Sequence, residues 1–164
     1  MAKDPSADLK LASLRDDRPL TLRAWLTLFN MLGVVLDPYT RESGWIIRTA
    51  DRIFAHYTEA DIRCAFIVAA DRAGSVEFLG PYADRWLVLL DPERELVQAM
   101  ELDRLPALVH VRQDCSLAGV AEGWHHEEWN EVLDGVEQVM AWRSQPTLPH
   151  PLDPGPFAGT SAAG

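Results

Sequence analysis

The chain has 164 residues, and a domain of ordinary size holds about 150, so one folded unit is expected. Hydrophobic residues make up 48% and charged residues 24%, the balance of a globular protein with a buried core. With 15 Lys and Arg against 25 Asp and Glu, the formal charge is −10. A surface that acidic repels phosphate backbones and anionic lipid, which argues against nucleic-acid and membrane partners.

The two cysteines, Cys64 and Cys115, form neither a CxxC nor a zinc-ligand spacing. The start of the chain lacks a basic segment followed by an apolar one, and no run approaches a membrane span. A cytoplasmic location with both thiols reduced is the expectation.

Residues 1–19 are polar, end in Arg15-Asp16-Asp17-Arg18-Pro19 and read as a flexible leader. Leu22, Trp25, Leu26 and Phe29 follow helical spacing, with Thr21 as N-cap and Gly33 after the end. Val34-Val35-Leu36, stopped by Asp37-Pro38, predicts a buried strand. Ser43 is the expected cap of a helix whose apolar face carries Trp45, Ile46, Ala50, Ile53, Phe54 and Tyr57. Strands are predicted at 62–69 and 86–90, with a short helix between them. Asp91-Pro92 predicts a helix start, with Asp91 as cap.

Ala107–Val111 and Leu117–Ala121 flank the turn Gln113-Asp114-Cys115-Ser116 and predict a hairpin. The last helix is predicted over 125–142, with Trp129, Val132, Leu133, Val136 and either Val139 or Met140 inward. Beyond residue 143, five of the eleven prolines fall between Pro146 and Pro156, which predicts a flexible tail over 144–164, although the apolar islands Leu148, Leu152 and Phe157 leave room for a segment that folds on a partner. The folded domain is accordingly placed at 20–143. This alternation implies an α/β fold, a central mixed β-sheet flanked by helices on both faces.

Two segments then carry a resemblance. Val34-Val35-Leu36-Asp37-Pro38-Tyr39-Thr40-Arg41-Glu42-Ser43-Gly44-Trp45-Ile46 is similar to the strand, acid, turn and CGPC of the thioredoxin-like superfamily, with Ser43-Gly44-Trp45-Ile46 on the CGPC. Met100-Glu101-Leu102-Asp103-Arg104-Leu105-Pro106-Ala107-Leu108-Val109 resembles the segment carrying that family's cis-proline, with Pro106 as the match. Glu122-Gly123-Trp124 resembles the glycine loop before the last helix, and the extra segment 71–90 looks like the TlpA and peroxiredoxin branch.

The resemblance implies a thioredoxin-like fold. It also implies lost redox chemistry, because disulfide exchange needs an attacking thiolate and a resolving thiol, and neither Ser43 nor Ile46 supplies one. What it leaves is a groove for an extended polypeptide beside Pro106, formed by Tyr39, Glu42, Ser43, Trp45, Leu105, Pro106, Gly123 and Trp124. The implied role is a redox-inactive binding, adaptor or chaperone-like module with a protein or peptide partner and no cofactor. The alternative is a thiol-disulfide or peroxide-related oxidoreductase working through Cys115 or Cys64.

Among single residues, Cys64 reads as an inert core thiol and Cys115 as an exposed, redox-sensitive one. Trp124 is the tryptophan expected to face a ligand, and the others, Trp142 included, are expected in the core. His125-His126-Glu127-Glu128 reads as a solvated helix start, since adjacent histidines on a helix point about 100° apart and bind no common metal.

Overall fold

The computed structural model describes residues 2–141 and 144–164. In chain order the elements are β1 (Lys10–Ser13), β2 (Asp16–Thr21), α1 (Leu22–Trp25), β3 (Asn30–Leu36), α2 (Arg41–Trp45) and α3 (Ile47–His56). β4 (Ile62–Val68), α4 (Arg72–Leu79), a 3-10 turn (Gly80–Asp84), β5 (Leu87–Leu90) and α5 (Glu95–Ala99) follow. The chain continues with β6 (Arg104–Leu105), β7 (Ala107–Val111), β8 (Leu117–Glu122), α6 (His126–Met140) and β9 (Thr160–Ser161).

Seven strands form one sheet in the order β2-β1-β5-β4-β3-β7-β8, with β3, β4 and β5 parallel and the rest antiparallel. Side chains alternate across a strand, and β3 and β4 use both faces. Leu32, Val34, Leu36, Phe66 and Val68 meet α3 and α6 in one core, while Met31, Val35, Ala65 and Ile67 meet α1 and α5 in the other. Strands buried on both sides therefore read as continuous apolar runs. No helix of the described residues is long and apolar enough to cross a membrane.

Several expectations change. The N-terminal residues do not form a loose leader: Lys10–Ser13 and Asp16–Thr21 make an antiparallel hairpin that adds two strands to β5. Leu11 and Leu22 are buried, and the charged outer strand, with Pro19, blunts the sheet edge. The first helix stops at Trp25, because β3 begins at Asn30, four residues before the expected strand. Gly33 is consequently a mid-strand residue rather than a helix end, where a Cβ would stand 2.9 Å from Ile67 Cδ1 and 3.2 Å from Val109 Cγ2.

The second helix is split at Ile46 and starts after Thr40, so Ser43 lies inside it instead of capping it. Asp91 caps α5 from a distance, accepting from the amides of Leu96 and Val97 at 3.1 Å each, with Pro92 outside the helix. Its burial pushes the carboxyl pKa up while those amides pull it down. The hairpin of β7 and β8 and the inner face of α6 form as predicted. Trp142 lies outside the described residues.

The C-terminal segment also departs from the expected flexible tail. It folds back along the body, with β9 paired to β6 and Phe157 bridged to Trp124. Asp153 anchors it, accepting from Thr49 Oγ1 at 2.7 Å and from Arg52 Nη2 at 2.8 Å.

Candidate functional site

The loop after β3 is built around Asp37, whose side chain is 1% exposed. Its amide donates to Ser43 Oγ at 2.9 Å, Oδ1 accepts from the Tyr39 amide at 3.0 Å, and Oδ2 accepts from Arg94 Nη2 at 2.9 Å. The Tyr39 bond closes an Asx turn, the local device by which Asp redirects a chain leaving a strand. Two charges taken out of water need such partners on both sides. Arg94 itself stands in the left-handed region, at φ 56°, just before α5. Its other terminal nitrogen donates to the Ala162 carbonyl at 2.8 Å.

Ser43 is fully buried, and its oxygen accepts from the Asp37 amide with the Thr40 hydroxyl at 3.4 Å. No histidine hydrogen-bonds to it among the described residues, and the hydroxyl serves the loop rather than a substrate. Nucleophilic use would require a base in reach of that oxygen.

Next to this loop, the Leu105–Pro106 peptide is cis, and the Gly123 amide donates to the Pro106 carbonyl at 2.8 Å. Leu105, Pro106, Gly123 and Trp124 are thus brought together, and Trp45 reaches the same place from α2. What meets them is the chain's own C-terminal segment. Trp124 and Phe157 exchange backbone bonds at 2.7 and 3.0 Å. The Trp124 indole donates to the Pro154 carbonyl at 2.8 Å, and the Phe157 ring stands edge-on to Trp45 at 5.4 Å between centroids.

β6 and β9 continue the ladder, pairing Arg104 with Ser161 and Leu105 with Thr160, and the Ala162 amide donates to the Asp103 carbonyl at 2.9 Å. Two glycines permit this approach. A Cβ on Gly123 would stand 2.6 Å from the Ala158 carbonyl oxygen, and one on Gly159 would stand 2.7 Å from that of Leu105. Both occupy the left-handed region, at φ 75° and 82°, which L side chains avoid.

Trp45, expected in the core, is 52% exposed on α2. Trp124 is expected to face a ligand from an open loop, yet it is 1% exposed beneath the segment and packed edge-on against Trp129. Tyr39 is 76% exposed and lies toward the start of α4, and the half-buried Glu42 has no side-chain hydrogen bond among the described residues.

Cys115 is corrected outright: it lies in the turn at the far end of the hairpin from Pro106, only 4% exposed and packed with the α1 and α5 core. Its backbone takes the left-handed conformation, φ 68°, which turns the side chain under the loop. Burial raises its thiol pKa, and burial pushes that of Cys64 to about 12, so both stay protonated at neutral pH.

Arg94, Asp153 and Gly159 belong to the site without standing out in the sequence, whereas Phe157 stands out there as an apolar island of the tail. The signal was present for one pair: an aromatic residue two positions before a glycine, in a segment otherwise poor in large side chains.

No family model and no curated protein sequence matches the chain. Solved structures do. A protein from Chlorobium tepidum described as a putative thiol:disulfide interchange protein DsbE superposes with a TM-score of 0.68 at 10% identity, over 85% of this chain and 98% of its own. Peroxidoxin BcpB of Mycobacterium tuberculosis gives a TM-score of 0.65 at 15% identity, covering 87% and 98%. A secreted Mycobacterium tuberculosis disulfide oxidoreductase, homologous to Escherichia coli DsbE, gives 0.60 at 14%, covering 78% and 96%. With the mixed sheet, the helices on both faces and these neighbours, the chain has the thioredoxin-like fold.

Proposed function

We propose that this protein holds an extended polypeptide segment in the groove beside Pro106 and does not exchange disulfides. One observation carries the reading: the backbone of Arg104–Leu105 and of Trp124 pairs with an extended segment of chain. Backbone pairing gives a polypeptide site its affinity without requiring any reactive group. The chemistry of the thiols supports the second half. Disulfide exchange proceeds through a thiolate, and Cys64 and Cys115 are both held in their neutral form by burial. They also sit in opposite cores, one on each face of the sheet. The partner in this reading is a protein or peptide, met in a reducing cytosol.

A second reading has its own support. The fold neighbours include proteins described as a thiol:disulfide interchange protein, a disulfide oxidoreductase and a peroxidoxin, which favours thiol or peroxide chemistry through Cys115 or Cys64. Turnover assays separate the two. With insulin as disulfide substrate and hydrogen peroxide as oxidant, the first reading expects the wild-type chain to match a Cys64→Ser, Cys115→Ser double variant. Turnover lost on Cys115→Ser alone would establish the second.

A further inference from the structure

Residues 154–162 are held in a way that specifies what the groove accepts. Their own surface is mostly solvent-facing: Gly155, Pro156, Ala158 and Ser161 are exposed, and Phe157 is half-buried. The groove reads three things from them. It reads backbone, through Trp124 to Phe157 and β6 to β9. It reads an aromatic ring, seated at 82° against Trp45. It reads glycine two positions later, because a Cβ on Gly159 would stand 2.7 Å from the Leu105 carbonyl oxygen and 3.4 Å from the Gly123 Cα. Residue 158 points outward and is unconstrained.

The segment is tethered at both ends by guanidinium groups, Arg52 on Asp153 and Arg94 on the Ala162 carbonyl, with Arg104 Nη1 donating to the Gly159 carbonyl at 3.1 Å between them. If it lifted away, the groove would present unpaired backbone at 104–105 and at 124, together with two indole rings. Such an edge adds a strand from another chain.

We propose that the groove recognises a partner protein through an extended segment of the form aromatic, any residue, glycine, and that residues 154–162 occupy this site in cis as a tethered competitor. The inference rests on the groove being a polypeptide site. A tethered occupant acts at an effective concentration on the order of millimolar, so a micromolar partner binds only when the segment is displaced.

The test uses the full chain, wild type and Gly159→Val, with a fluorescein-labelled peptide of sequence DPGPFAGTSA followed by anisotropy. Hydrogen exchange at the Trp124 and Ala162 amides reports whether the segment has lifted. The Gly159→Val chain is expected to lose that protection and to bind the peptide about tenfold or more tighter than wild type. Peptides with valine for the glycine, or alanine for the phenylalanine, are expected to lose about tenfold or more in affinity. Trp45→Ala, placed on top of Gly159→Val, is expected to weaken the phenylalanine peptide and leave the alanine peptide unchanged.

Retained protection in Gly159→Val would overturn the glycine requirement, and equal binding of all three peptides would overturn the recognition pattern. A released groove that binds unrelated extended peptides but not this one would end the inference while leaving the polypeptide-binding reading intact. Binding of no peptide at all would end both. A wild-type chain that sediments as a dimer with exchanged segments would assign the site to a second copy and overturn the partner.

Discussion

The two ends of the chain are both polar, both expected to be loose, and both ordered, but by different physics. The N-terminal hairpin joins the central sheet: β1 pairs with β5, Leu11 and Leu22 enter the core, and the Trp25 indole donates to the Leu11 carbonyl at 3.0 Å. Arg72 clasps the bend by donating to the carbonyls of Ser13 and Leu14. The C-terminal segment buries little of itself and is fixed by discrete polar ties and by two glycines. Order achieved by burial is shared with the whole fold, whereas order achieved by local ties can be lost alone.

The sharpest way to break this comparison is to shorten a side chain in each end. Leu22→Ala should destabilise the whole domain by about 3 kcal/mol, since a core leucine leaves a cavity as well as lost transfer energy. Phe157→Ala should leave the main urea transition nearly unmoved and abolish exchange protection at the Trp124 amide. Equal shifts in the urea midpoint would show that the two ends are one cooperative unit.

Arg94→Met tests the tie between the C-terminal segment and the loop after β3. It strands the Asp37 carboxylate in the interior and frees the Ala162 carbonyl, so a loss of about 2–3 kcal/mol is expected together with release of the segment. Asp37→Asn in the same background should recover part of that stability, measured as a double-mutant cycle.

Acid separates the regions by another route. His110, on β7, is 1% exposed with Nε2 unpartnered among the described residues, and burial lowers its pKa from 6.5 to about 4. A depressed histidine gives stability that is complete above pH 6.5 and is lost as the pH falls toward 4, because the unfolded chain takes up the proton first. The expected loss is on the order of 2 kcal/mol, and His110→Leu should flatten that slope. Asp91 and Glu137, whose pKa values are raised by burial, act with the opposite sign and do so equally in the variant. Over this window the guanidinium-to-carbonyl ties of the C-terminal segment do not titrate, so its exchange protection should outlast the weakening of the sheet.

The smallest effect expected is at Asp153. Its pairing with Arg52, which is 28% exposed, is partly screened by solvent, so Asp153→Ala should cost about 1 kcal/mol and register as faster exchange in residues 150–157.

These contrasts also explain what the sequence made legible. β3, β4, the β7–β8 hairpin and α6 announce themselves because their apolar periodicity is what their packing needs. The N-terminal hairpin was hidden behind Asp16-Asp17-Arg18-Pro19, which face water on an outer strand, although Leu9 and Leu11 alternate inward as a half-buried strand would. The C-terminal segment was hidden more thoroughly. Proline and glycine carry no pattern of their own, and the residues that hold it, Arg52, Arg94 and Gly123, lie at distant positions in the chain. Cys115 misled because a polar turn normally faces outward, and only its left-handed backbone turns the thiol inside.

Arg94 has one further consequence. The same guanidinium grips the carboxylate that shapes the loop after β3 and the last carbonyl of the seated segment. Occupancy of the groove and the conformation of the 37–43 loop therefore share a coupling free energy, and that coupling is reciprocal. Whatever rearranges the loop changes how firmly the groove is filled, and whatever empties the groove relaxes the loop by the same amount.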